Sequence, residues 1–146
     1  MNRDVVAVDK FNSEHYQDPT PHQALSTIEA ERKAARVYRP LVYICSPYSG
    51  DVAGNVENAR RYCRFAFEQG CIPIAPHLLF TQFLDDNNPK ERELGLHFGN
   101  VLMSQCREVW VFGKIVSPGM DAEIRRARWK NYRLKFFNDT LEEVER

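Results

Sequence analysis

The chain has 146 residues, with twenty Lys and Arg against twenty Asp and Glu and a formal net charge of zero. Hydrophobic residues make up 43% and aromatics 12%, which excludes a wholly disordered chain; the length suits one compact domain. With no basic excess to neutralise a phosphate backbone, neither a nucleic-acid polymer nor an anionic membrane surface is an expected partner. Mean hydropathy is −0.51, and no apolar run approaches the roughly eighteen residues of a membrane span. Met1-Asn2-Arg3-Asp4 lacks the apolar core of a secretory signal, so the expected location is cytoplasmic.

In chain order, residues 1–20 are polar and unpatterned, ending in Asp18-Pro19-Thr20-Pro21, a helix start. From Pro21 to about Tyr38, Ala24, Leu25, Ile28, Ala35 and Val37 mix with charged residues in a helix closed off by Pro40. Residues 1–39 therefore read as a polar extension with one helix, and residues 40–146 as the domain proper. Leu41-Val42-Tyr43-Ile44-Cys45 is a continuous apolar run, the mark of a strand buried on both faces. A helix opening near Asn55 carries Val56, Ala59, Cys63, Ala66 and Phe67 and stops at Gly70. Cys71 to Ala75 is a short strand despite Pro73, and Leu78 to Leu84 a short apolar helix, followed by the loop Asp85-Asp86-Asn87-Asn88-Pro89. Leu94, Phe98, Val101 and Leu102 define the next helix, and Val109 to Phe112 a third strand. Ser117-Pro118-Gly119 opens a helix with Met120, Ile124 and Ala127 on its apolar face; Tyr132 to Phe137 is a fourth strand, and a charged tail ends the chain.

Strands alternating with helices imply parallel pairing through right-handed crossovers, hence a three-layer α/β sandwich with a mainly parallel sheet of roughly four to five strands. Ligands of such sheets bind beyond the carboxyl ends of the strands. That directs attention to Ser46–Asn55, Pro76–Pro89 and Gly113–Glu123. The first loop has hydroxyls, a glycine and free N–H groups suited to a phosphate or sugar, or to a plain turn. It matches neither GxxxxGK[ST] nor GxGxxG. In the second, His77 reads as a structural or a catalytic imidazole. In the third, Glu123 lies beside the apolar face of its helix, where a partly desolvated carboxylate acts as nucleophile or base, unless it is a surface partner of Arg126. Cys45, Cys63, Cys71 and Cys106 show no CxxC, and the histidines no HxxxH, so reduced core cysteines and no metal site are expected. Trp110, Trp129, Phe136 and Phe137 read as core before pocket lining.

Three segments carry a family likeness: Val42-Tyr43-Ile44-Cys45-Ser46-Pro47-Tyr48, the helix–strand run Asn100 to Gly113, and Ser117-Pro118-Gly119-Met120-Asp121-Ala122-Glu123-Ile124. Over residues 41–137 the chain resembles the nucleoside 2-deoxyribosyltransferases and the related 2′-deoxynucleoside 5′-phosphate N-hydrolases. It is similar above all to a bacterial and phage group of uncharacterised domains within that superfamily. The resemblance implies a flavodoxin- or Rossmann-like fold and homodimers or higher homo-oligomers that complete each other's sites. It also implies a nucleoside or nucleotide ligand, no cofactor, and cleavage or transfer at the N-glycosidic bond of a 2′-deoxynucleoside or its 5′-monophosphate.

Carried over on these motifs, Glu123 matches the glutamate that attacks the anomeric carbon, and Tyr43 the tyrosine that orients it. Ser46, Pro47, Tyr48, Ser49 and Gly50 match the loop that holds the sugar and, in the hydrolases, the phosphate. His77, Asn100, Ser117, Gly119 and Met120 complete the candidate substrate-binding set. Two positions depart from the family. Asn100 stands where an aspartate is usual, and an amide cannot supply the acid proton; Asp85, Asp86 or His77 are the stand-ins. Ser49 replaces the phosphate-binding arginine of the hydrolases, with Arg60 or Arg61 as replacements. These departures keep a second reading open, a non-catalytic nucleotide-sensing module of the same fold. A third is an interaction protein acting through its N-terminal helix.

Overall fold

The computed structural model describes residues 20–146, so the reading of residues 1–19 lies outside the described residues. Helix α1 spans Thr20–Ala35. It ends short of the expected Tyr38: the Arg36 N–H is shared between the Arg32 and Lys33 carbonyls, both at 3.1 Å, and the chain then extends ahead of Pro40.

From Arg39 onward the chain forms a doubly wound α/β unit. Its elements are β1 (Leu41–Cys45), α2 (Val52–Glu68), β2 (Ile72–Ile74), α3 (Pro76–Leu79), a 3-10 turn (Phe80–Gln82), α4 (Pro89–Gln105), β3 (Glu108–Phe112), α5 (Pro118–Trp129), β4 (Arg133–Phe137) and β5 (Glu143–Val144). The strand order is β2-β1-β3-β4-β5. The first four strands pair in parallel, Tyr43 opposite Ile74 on one side and Val109 on the other. Pro73 is tolerated because β2 is an edge strand with one neighbour.

The period-2 alternation of the strands builds two cores, one on each face of the sheet. Val42, Ile44, Trp110, Phe112 and Phe137 meet Tyr62 and Ala66 of α2. Tyr43, Cys45, Val109, Val111 and Phe136 meet Met103 of α4 and Met120, Ile124 and Ala127 of α5. On the first face, Phe112 stacks between Tyr62 (4.3 Å, 11°) and Phe137 (4.9 Å, 14°). Trp110, Phe136 and Phe137 are therefore core residues, while Trp129 is 75% exposed at the end of α5.

Local signals explain most element ends. Gly70 closes α2 with φ +83°; its N–H donates to Phe67 O and that of Cys71 to Ala66 O, both at 3.0 Å, the paired bonds of a left-handed helix stop. Nothing lies within 4 Å of the position a Gly70 Cβ would take. Gly70→Ala is thus expected to lower stability by about 1 kcal/mol through backbone strain alone, measured by urea unfolding. Asn131, with φ 58°, closes α5 in the same way.

Further boundaries differ from the sequence reading. Helix α2 begins three residues before Asn55, because Asp51 accepts from the Gly54 N–H at 3.2 Å and caps it. The expected Leu78–Leu84 helix is instead the short α3 and the 3-10 turn, started early by Pro76 in the first helical position. The charged tail contains β5: Asn138 Oδ1 accepts from the Thr140 and Glu142 N–H groups (3.0 and 2.9 Å), reversing the chain so that Val144 pairs antiparallel with Phe136. No helix among the described residues is long and apolar enough to cross a membrane.

Candidate active site

Beyond the carboxyl ends of β1, β2 and β3 lies a cleft of about 280 Å³, just under the usual size range of small-molecule sites. One wall comes from the first loop, with Ser46, Tyr48 and Ser49; another from α3 and the 3-10 turn, with Pro76, His77, Phe80 and Thr81. The start of α5 supplies Ser117, Pro118, Gly119 and Met120, then Glu123 one turn further on. Helix α4 supplies Glu91, Arg92, Gly95 and Leu96.

Each wall has a local cause. Asn55, in the first turns of α2, donates through Nδ2 to the carbonyls of Tyr48 (2.9 Å) and Ser49 (3.1 Å) and so fixes the first loop from behind. Gly50, with φ +97°, turns that loop into α2. Ser117 accepts from the Met120 N–H at 3.2 Å, capping α5 and aiming its positive end at the cleft. Asn88 caps α4 by accepting from the Lys90 (3.0 Å) and Glu91 (3.4 Å) N–H groups, with Pro89 in the first helical position. Gly99 lets α4 approach β1: a Cβ there would stand 3.4 Å from the Tyr43 hydroxyl.

At the floor of the cleft the Tyr43 hydroxyl donates to Glu123 Oε1 at 3.1 Å, across 80 residues of chain. Burial pushes the Glu123 carboxyl up from 4.5 to about 7, against the pull of hydrogen bonds from Cys45 and Tyr43. The Cys45 thiol also reaches the Met120 carbonyl at 3.9 Å. Burial first, and then the Glu123 charge, raise the Tyr43 phenol well above its ordinary range, so Tyr43 stays a proton donor. Ser46 Oγ and His77 Nε2 are 3.0 Å apart, and burial lowers the imidazole to about 4, leaving it uncharged at neutral pH.

Of the residues singled out in the sequence, Ser46, Tyr48, Ser49, His77, Ser117, Gly119, Met120 and Glu123 line this one cleft, with Tyr43 directly behind Glu123. Pro47, Gly50 and Asn100 are not among its lining residues. Gly50 serves the turn, and Pro47 lies beside Gly113, whose added Cβ would meet the proline Cδ at 3.9 Å. Asn100 continues the α4 stripe of Arg92 and Leu96 but lies one turn past the last α4 residue that lines the cleft. The arginine replacements lie elsewhere: Arg60 is 3.7 Å from Glu57, and Arg61 sits over the Tyr62 ring at 5.5 Å. The cation that lines the cleft is Arg92, unmarked in the sequence because it falls on the charged face of a helix. Of the paired acids, Asp86 lines the cleft, whereas Asp85 accepts from the Asn87 N–H at 2.9 Å and holds the turn.

Among known proteins, residues 40–137, about two thirds of the chain, match a family described as a domain of unknown function (DUF7768). No curated protein matches the chain. Among solved structures, the fold is similar to that of a 2-deoxyribosyltransferase from the psychrotolerant bacterium Bacillus psychrosaccharolyticus. The TM-score is 0.59 at 11% identity, over 72% of this chain and 77% of that one. At that identity the likeness shows the fold alone. The relative is described as a biocatalyst for the synthesis of antiviral and antitumoral nucleosides.

Proposed function

We propose that this chain, which belongs to the DUF7768 family, cleaves or transfers at the N-glycosidic bond of a 2′-deoxynucleoside or its 5′-monophosphate, with Glu123 as nucleophile. The observation that carries this reading is a half-buried carboxyl, hydrogen-bonded by a tyrosine, at the floor of a cleft above the carboxyl ends of a parallel sheet. Breaking the bond builds positive charge on the sugar, and an adjacent carboxylate either stabilises that charge or captures the anomeric carbon as an ester. Tyr43 positions the carboxylate and keeps one oxygen hydrogen-bonded. The Ser46–His77 pair, Ser49 and the capped start of α5 offer neutral donors and acceptors to the sugar hydroxyls and the base.

The test is chromatographic. The protein is incubated with 2′-deoxynucleosides and their 5′-monophosphates, with and without a second base. Release of free base that depends on Glu123 is the expected result, and exchange of bases without net release identifies a transferase. Tight nucleotide binding with no release on long incubation assigns the sensing module instead. Because Glu123 must be ionised to attack, kcat/KM is expected to climb with pH through about 7. A profile flat from pH 5 to 9 would contradict that role.

The working unit in this reading is a homo-oligomer. Leu94 and Val101, one heptad apart on α4, and Phe83 nearby are 48%, 48% and 63% exposed in the isolated chain, apolar area that a second copy would cover. Sedimentation of the wild type as a dimer or larger, and of Leu94→Glu/Val101→Glu as a monomer, is the expected outcome.

A further inference from the structure

When an N-glycosidic bond breaks, its electron pair goes to the base, and a neutral base departs readily only if a proton reaches it. The side chains around the cleft are poorly suited to supply that proton. Of the stand-ins, His77 is uncharged at neutral pH and tied to Ser46, Asp85 is held in its own turn, and Asp86 lines the cleft but is exposed to solvent; Asn100 lies outside the lining. They are better suited to receive a positive charge. Two aromatic residues, Tyr48 and Phe80, line the cleft, and aromatic faces attract cations. At the mouth stand exposed Asp86 and half-buried Glu91, against Arg92 as the cation of the lining. None of the three forms an ion pair within 4.0 Å among the described residues.

We propose that the preferred substrates are N-glycosides whose base already carries a positive charge, a pyridinium or an N7-alkylated purine. This rests on the reading of Glu123 as nucleophile. A Glu123 oxygen forms the bond to the anomeric carbon while the C–N bond breaks. The electron pair of that bond neutralises the cationic ring, so the base leaves uncharged and no proton is consumed. Water then hydrolyses the glycosyl ester, restoring the carboxylate and releasing one proton to solvent. Tyr48 and Phe80 hold the cationic ring, and Asp86 and Glu91 favour it by charge.

Two measurements test this. Calorimetry on the wild-type protein compares N1-methylnicotinamide with nicotinamide, the same ring with and without its charge, and needs no turnover. At least about tenfold tighter binding of the cation is expected, falling to near parity in Asp86→Asn/Glu91→Gln. Equal or weaker binding of the cation, or binding of neither, overturns the proposal. Turnover is then compared between the 2′-deoxyriboside of nicotinamide and 2′-deoxyguanosine, each rate divided by its spontaneous hydrolysis to remove the greater lability of the charged substrate. An enhancement at least about tenfold larger for the pyridinium is expected. Equal enhancements that both depend on Glu123 overturn this substrate class while leaving the proposed function standing. Release that is independent of Glu123 overturns the proposed function itself, and the calorimetric preference is still read separately.

Discussion

Replacing Glu123 by glutamine is expected to cut base release at least about 10³-fold while leaving the protein folded and, above neutral pH, more stable. The loss follows from chemistry: an amide oxygen neither captures the anomeric carbon nor balances the charge that develops on the sugar. The gain follows from burial. The folded-state carboxyl titrates near 7 rather than 4.5, so the folded protein holds an extra proton across that window and its stability falls as pH rises through it. Glutamine carries no such penalty and still accepts from Tyr43. In urea titrations the variant should exceed the wild type by about 2–3 kcal/mol at pH 8, with the gap closing near pH 4. An equal stability at both pH values would show that the carboxyl is not held in a desolvated place.

Tyr43→Phe is expected to lower kcat by about 10- to 100-fold with little change in KM. The phenol touches Glu123 but Tyr43 does not itself line the cleft, so it is a positioning residue, and its loss leaves the carboxyl with one donor fewer. A hydrogen bond to the ionised form lowers a carboxyl's pKa, so removing it raises the pKa. The rising limb of the pH–rate profile should therefore move above its wild-type position near 7. A purely structural tyrosine would change stability and leave the limb where it was. Ring packing against the α4–α5 core is kept in phenylalanine, so the comparison isolates the hydroxyl.

The chain order of elements was legible because the apolar periods change cleanly, from the continuous run Leu41–Cys45 to the helical spacing of Ala59, Cys63 and Ala66. The ligand side of the sheet followed from topology alone, and the cleft lies there. What the sequence concealed was short or non-local. The two-residue β5 depends on a turn built by one side chain, Asn138, inside a tail that reads as solvated charge. The start of α2 depends on Asp51 acting as a cap rather than as a loop acid. The pairing of Tyr43 with Glu123 spans 80 residues, and no local pattern encodes it. Arg92, Glu91 and Gly95 escaped notice because α4 carries charge around much of its first turns; only the packing of that helix beside α3 tells which positions border the cleft. Asn100 carries a motif and sits on the stripe of Arg92 and Leu96, yet it lies one turn past the last α4 residue of the lining, a distance along the helix that motif alone does not encode.

A covalent test bears most directly on Glu123. The deoxynucleoside from which base is released fastest is mixed with enzyme, quenched in acid before turnover completes, and the digested protein is weighed peptide by peptide. The account predicts that the peptide containing Glu123 gains the mass of one deoxyribosyl group, and that the gain disappears in the glutamine variant. Release of base with that peptide unmodified, or with the sugar attached to another residue, would contradict it.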